Sequence, residues 1–305
     1  MPISNYPNGF NQGLLIRNMP LAIAHPGKVF WVNSSASYTG REGTFERPFT
    51  TVAAALAKCQ AGRGDIIMVS PGHTETISTA TSLVLNVTGV AIIGLGTGSL
   101  RPTFNISATG AFIDITAANT TLVNVLITGG IDAIVRAVLV RAADVTLQAI
   151  EYRDVTGQVT DAILTTAAAD RLRILDHTHN GDTAAGTNAA IAIVGGSNIE
   201  ITIDRMDGNF AVGGIDIRTT ATTNLLVRDV RYFRTRNAAD IFIVDTITGS
   251  TGQVGPNIYL RLQDNAANIT EACTGATFVY HQPISIVNAA GEVGMNTNIT
   301  ASTDA

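Results

Sequence analysis

The chain has 305 residues, of which 46% are hydrophobic and only 14% charged, with a formal charge of −5. So thin a supply of charge excludes long surface helices laced with ion pairs. Lys28 and Lys58 are the only lysines and the arginines are scattered, so no basic block follows a phosphate backbone and nucleic acid is excluded as a partner. No stretch is apolar enough to span a bilayer, and the opening MPISNYPNGFNQG lacks the basic-then-apolar pattern of a secretory signal, so neither a membrane nor a secretory route is expected. Cys59 and Cys273 are too few for a disulfide framework and read as buried thiols.

Residues 1–30 are rich in Pro, Gly and Asn and show no sustained period of 2 or 3.6 residues. They nevertheless carry Phe10, Leu14, Leu15, Ile16 and Leu21. A solvated linker has no need of these side chains, so the segment reads as an extended arm, anchored either on another surface or back on its own domain. VFWV at 29–32 reads as a strand. TTVAAALAKC at 50–59 reads as a short helix capped by Thr50 or Thr51, with Val52, Ala55, Leu56 and Cys59 on one face. GRGDIIMVSPG at 62–72 reads as a turn, a strand and a turn.

Beyond this point the sequence repeats. One row of segments opens on Asn or Asp, at Asn119, Asp144, Asp170, Asn198 and Asn224, so the starts recur at nearly even intervals. A second row lies between them: FIDI at 112–115, VLVR at 138–141, ILTT at 163–166, IAIV at 191–194, IDIR at 215–218 and IFIV at 241–244. Two interleaved rows of one period mean one structural unit per period of about 26 residues. The segments are short and β-branched, with no helical pattern between them. This excludes a doubly wound sheet, whose crossovers need helices. The expected fold is therefore all-β, a right-handed parallel β-helix with a short N-terminal capping helix and an extended N-terminal arm. Its expected division is an arm at 1–30, a lead-in segment with the capping helix at 31–64, coils at 65–250, and C-terminal coils, cap and tail at 251–305.

The two rows differ in pattern. In IEITID the alternation sends Ile199, Ile201 and Ile203 inward and leaves Glu200, Thr202 and Asp204 solvated. In VLV, IAIV and IFIV both faces are apolar, and the mean hydropathy of the chain is +0.25. An apolar outer face needs a cover. Val138, Val140, Ile191, Ile193, Ile241 and Ile243 are therefore the expected oligomer face of a homo-oligomer, with a trimer as the expected number.

GTFERPFTTVAAALAKCQAGRGDIIMVSPG at 43–72 resembles the opening segment of pectate-lyase-like β-helix proteins, which commonly read as Gly-Thr, Pro-Phe, a capping helix, Gly-Asp, an apolar strand and Pro-Gly. NYPNGFNQGLLIRNMPL at 5–21, joined to KVFWV at 28–32, resembles virion proteins of tailed bacteriophages that carry this fold. Together the two matches cover about a quarter of the chain. The first implies the fold. The second implies a virion location and the major capsid protein as a partner.

β-helix enzymes of the resembling family act on polysaccharides through clustered carboxylates, and inverting glycosidases hold two carboxylates about 6.5–9.5 Å apart. Asp154, Asp161, Asp176, Asp204, Asp207 and Asp229 are candidates, but there is no Asp-Asp pair and no Gly-His-Gly. Asp176 and Asp204 fall at similar places in successive coils and are expected as solvated outward groups. Arg228 and Arg231 flank Asp229 without an acidic cluster of lyase type. DHTH at 176–179 would aim His177 and His179 the same way on a strand, but two ligands do not close a zinc site, and a surface turn is expected. GLGTG at 94–98 precedes no helix and reads as a turn rather than a phosphate cradle. No catalytic, cofactor or metal residues are assigned. The expected function is a non-enzymatic virion protein on the capsid exterior, a decoration or cement protein made in the host cytoplasm. The alternative is a tailspike or fibre that binds or degrades host surface polysaccharide.

Overall fold

In a computed structural model the structure describes residues 27–37, 40–155, 157–181, 186–235 and 241–261, with short stretches at 15–16, 19–20, 271–273, 276–281, 284–287 and 293–295. It is all-β apart from one α-helix and one short 3-10 turn among these residues. The chain winds as a parallel β-helix whose coils each add strands to three stacked rows. The first two rows form a sheet of 17 strands and the third a sheet of 8. Successive coils pair in parallel, as where Thr121–Val123 lies between Ala91–Gly94 and Thr146–Gln148.

The bend before the first row is made by residues in the left-handed region. Asn119, Asp144, Arg171, Asn198 and Asn224 have φ of 56°, 59°, 54°, 57° and 54°. Asn and Asp tolerate this conformation because their short side chains bond locally. The expected row had Asp170 in this position, but Arg171 occupies it, which makes the spacing of the row more even. Arg171 is held there by two bonds to Asp144 on the preceding coil, Nε to Oδ1 at 2.6 Å and Nη2 to Oδ2 at 2.8 Å. Asp170 instead accepts from the Ser197 amide and hydroxyl, both at 2.8 Å. Further up, Asn224 Nδ2 donates to Asn198 Oδ1 at 3.2 Å, so the side chains of this row bond from coil to coil.

The third row corrects the expected oligomer face. Its register aligns Ile113, Val138, Ile163, Ile191, Ile215 and Ile243 in one column, and Ile115, Val140, Thr165, Ile193, Ile217 and Asp245 in another. Both columns point inward. Val138, Val140, Ile191, Ile193 and Ile243 are at most 1% exposed and belong to the core, while Ile241 lies just before its strand and is partly buried. The physical reason is the alternation itself. Asp114 and Asp216 must face out, so their register partners Leu139, Ala192 and Val244 also face out, and the residues flanking them face in. These outward side chains are themselves covered within the chain. Gly213 lies so close to Val244 that a Cβ on it would stand 2.9 Å from Val244 Cγ2.

The start of the rod is sealed by polar bonds as well as by apolar contact. The helix spans Val52–Leu56, shorter than the expected 50–59, because Ala57 begins a turn. Thr51 caps it by accepting from Ala54 N at 3.2 Å. Its buried face, Val52, Ala55 and Leu56, covers the end of the core. Glu75 Oε2 accepts from Val52 N at 3.0 Å and lies 3.3 Å from Nε2 of the buried His73. His73 Nδ1 in turn accepts from Ser34 N at 3.0 Å. Asp65, fully buried, accepts from Lys28 N at 2.7 Å, Gln60 N at 2.8 Å and the Arg63 guanidinium at 2.6 and 2.7 Å. Burial alone would raise this carboxyl, but the Arg63, Lys28 and Gln60 donors overcome it and hold the group down to about 2. Cys59 is partly buried and its thiol is pushed up to about 11, chiefly by burial.

Of the expected arm, Leu15–Ile16 pairs antiparallel with Met19–Pro20. Phe10, Leu14 and Leu21 lie outside the described residues. Asp65→Ala should lower the unfolding free energy by about 3 kcal/mol, because it strands buried donors and a partly buried guanidinium. Denaturant unfolding of the full chain checks this, and a loss under about 0.5 kcal/mol, the range of neutral surface changes, would show that Asp65 does not tie the lead-in to the first coil.

Candidate functional site

The first and second rows meet at an outward corner, and here the sequence again places residues with positive φ. Asn124, Ala149, Asp176, Asp229 and Asn257 have φ of 56°, 52°, 53°, 51° and 62°. Asn124 Nδ2 donates to the carbonyls of Gly94 and Gly96 at 2.8 and 2.9 Å, so GLGTG is indeed a turn. Asn257 Nδ2 donates to Asp229 Oδ1 at 2.8 Å. The Asp176 amide donates to Thr202 Oγ1 on the next coil at 2.8 Å.

Along this corner runs an open groove of about 470 Å³, lined by Arg173, Asp176, Thr202, Arg228, Asp229 and Arg231, among others. Of the residues singled out from the sequence it brings together Asp176, Asp229, Arg228 and Arg231, while Asp154, Asp161, Asp204 and Asp207 do not line it. Glu200 accepts from Arg173 at 2.9 Å and Arg228 at 2.6 Å, Arg228 also bonds Asp229, and Arg231 Nη1 bonds Asp204 Oδ1 at 2.8 Å. Asp176 and Asp204 are both exposed, as expected.

The electrostatics favour fixed charge. Burial tends to raise Glu200, but Arg173 and Arg228 reverse this and hold it below the usual glutamate range. Asp229 is lowered by the Asn257 amide, against partial burial, and by Arg228. Arg228 and Arg231 are held above their usual value by their carboxylate partners. A general acid needs a raised carboxyl and an arginine base a lowered guanidinium. The shifted groups here move the other way and are biased toward fixed charge.

A second outward feature escaped the sequence. On the second row Tyr232 and Tyr259 stack at 6.4 Å between ring centroids, and the Arg205 guanidinium lies 4.7 Å over the Tyr232 ring. Arg205 also bonds Asp207 at 2.8 Å. The signal was present only as spacing: Tyr232 and Tyr259 stand about one coil apart, Tyr259 between buried Ile258 and Leu260 and Tyr232 beside buried Phe233.

The outer side of the third row carries ions where an apolar face was expected. Arg141 Nε lies 3.0 Å from Asp114 Oδ1, while Arg218 bonds both Asp161 and Asp216, the latter at 3.2 Å. Arg136 lies 5.1 Å over the Phe112 ring. Asp114, Asp161 and Asp216 are all buried. Burial raises all three carboxyls, and the neighbouring arginines only partly offset it.

His177 and His179 do face the same way on the strand Arg173–Asn180, but inward. The expected surface turn is corrected: both rings are fully buried, and no partner meets hydrogen-bond geometry at any of the four ring nitrogens. No group of three or more metal-ligating side chains occurs among the described residues.

Arg218→Met should destabilise the rod by about 3 kcal/mol, since it leaves two buried carboxylates without their shared cation. Adding Asp161→Asn should restore part of the loss, and thermal unfolding of the two variants side by side checks this. Equal stability of Arg218→Met and the parent would show that the arginine is dispensable. No family model, no curated protein and no solved structure matches the chain.

Proposed function

We propose that the chain is a non-enzymatic structural protein of a tailed-phage virion, a decoration protein that stabilises the capsid exterior. The observation that carries this reading is the mutual neutralisation of its outward charges. Arginine and carboxylate side chains pair across coils over the corner groove and the third row alike. The shifted groups in the groove are biased toward fixed charge. Such a surface suits a rigid spacer, and eight stacked strands in the third row give a rod of roughly 34 Å at the parallel-strand spacing. The apolar residues of the 1–30 segment supply the attachment, with the major capsid protein as the partner.

Deletion of residues 2–25 should abolish attachment to purified capsids and leave the unfolding transition of the rod unchanged. Full-affinity binding by the truncated protein would overturn the assignment of the segment. In purified particles the copy number should be a simple fraction of that of the major capsid protein, and a handful of copies per particle would place the protein on the tail instead.

A second reading, glycan binding as a tailspike or fibre, is favoured by one observation. The Tyr232–Tyr259 stack flanked by Arg205 offers an aromatic platform. On this reading Tyr259→Ala should weaken retention on host polysaccharide about tenfold, the equivalent of roughly 1.4 kcal/mol. Unchanged retention, measured by affinity electrophoresis, would leave the structural reading alone.

A further inference from the structure

Of the three buried histidines, His73 is held by Glu75 and the Ser34 amide, whereas His177 and His179 have no part in the groove, the tyrosine platform or the third-row ions and no such partners. His177 occupies a column whose other members, Val125, Ile150, Ile203 and Val230, are aliphatic and at most 1% exposed. His179 occupies the column of Phe104, Ile127, Tyr152, Met206 and Phe233, also at most 1% exposed. Its ring lies 5.3 Å from the Tyr152 ring, 5.2 Å from Phe210 and 6.4 Å from His177, measured between centroids. One coil therefore carries two ionisable rings at positions that neighbouring coils fill with hydrocarbon or aromatic groups. The pairing of this strand with the next coil is also irregular, with register shifts on either side of His177.

Neither ring has a counter-ion. From the preceding coil the titratable group at hand is the Tyr152 hydroxyl, which donates to Asp154 Oδ1 at 2.9 Å. From the following coil comes Met206, and from the loop beyond it Phe210, which carry no charge. Of the charged residues of these strands, Glu151, Arg153, Arg173, Asp176, Glu200, Asp204, Arg205 and Asp207 lie on the outer side, while Asp154 shares the face of Tyr152 and is bonded by its hydroxyl. An imidazolium formed at either position would sit in an apolar interior with no carboxylate beside it.

We propose that the His177–His179 pair is an acid-triggered release point built into the rod: on protonation of the two rings, the strand Arg173–Asn180 parts from its neighbours while the coils at 91–129 stay paired. Burial already pulls His177 down to about 4, against a smaller opposing pull from the Ile150 carbonyl, and His179 down to about 3, with a contribution from His177. Both values are depressed, so the stability associated with the neutral rings is complete above their ordinary value of about 6.5. It is lost as the pH falls toward 4 and then 3, where the opened chain takes up protons that the closed chain refuses. Asp114, Asp161 and Asp216 act in the opposite sense. Their raised carboxyls favour the fold as acid protonates them, so the third row gains where the second loses. Glu200, whose carboxyl is lowered and pairs with Arg173, adds to the loosening in stronger acid.

The test is hydrogen exchange of the full chain between pH 7 and 3, read as protection factors corrected for intrinsic rate. Peptides covering 173–180 should lose protection about one pH unit above those covering 91–129. In a His177→Leu/His179→Met variant, which continues both columns, the two regions should open together. Simultaneous opening in the parent chain, or a gap that persists in the variant, would overturn the proposal. Imidazole NMR titration of the parent decides independently of whether the variant folds: rings that titrate near their ordinary value in the folded chain overturn it, and rings that stay neutral until the strand opens support it.

Discussion

The parallel backbone ladder between successive coils is the constraint on which everything else depends. Once Thr121–Val123 pairs in register with both Ala91–Gly94 and Thr146–Gln148, each side chain belongs to a column that runs the length of the rod, and its direction is no longer its own choice. A column is either inside or outside. The core is therefore a set of aligned stacks, and chemistry is decided by which residue a coil puts into a stack. The same geometry lets a side chain on one coil answer its counterpart on the next, as Arg171 answers Asp144 and Asn224 answers Asn198.

Much of this was legible in the sequence because repetition is a strong signal. The period, the absence of crossover helices and the Ile199–Ile201–Ile203 alternation led to the parallel β-helix, and PFTTVAAAL led to the helix sealing its start. The inward phase of the third row was misread because VLV and IAIV are apolar on both faces and carry no phase of their own. The phase sits in FIDI and IDIR, where Asp114 and Asp216 face outward to Arg141 and Arg218, and it reaches Val138 and Ile191 through register. Arg171 was missed for a related reason. Asp170 is the better turn former by residue type, and the bond of Arg171 reaching back to the preceding coil is not visible in a single segment. His177 and His179 were placed at a surface turn because polarity usually means exposure, whereas their strand continues columns that admit no water.

The ionisable groups fall into two electrostatic classes. Over the corner groove, cations and anions meet near solvent and fix one another's charge. Inside the second row and beneath the third-row arginines, burial dominates and disfavours charge. The first class makes a surface insensitive to small changes of acidity. The second makes particular coils sensitive in opposite senses. The two coexist within a few residues, as where exposed Asp176 adjoins buried His177, because a strand alternates between water and core at every step.

The far end of the rod differs in kind from its start. The strand Ile284–Val287 stacks in parallel on Ile258–Arg261, but Val293–Met295 then runs antiparallel to it. A parallel stack has no natural length, because any coil can serve as the template for another coil of the same sense. Among the described residues the reversal at Val293–Met295 breaks that rule: a further coil of the same sense would meet this strand as an antiparallel neighbour rather than a parallel one. Strand polarity thus sets this edge apart from the parallel stack behind it.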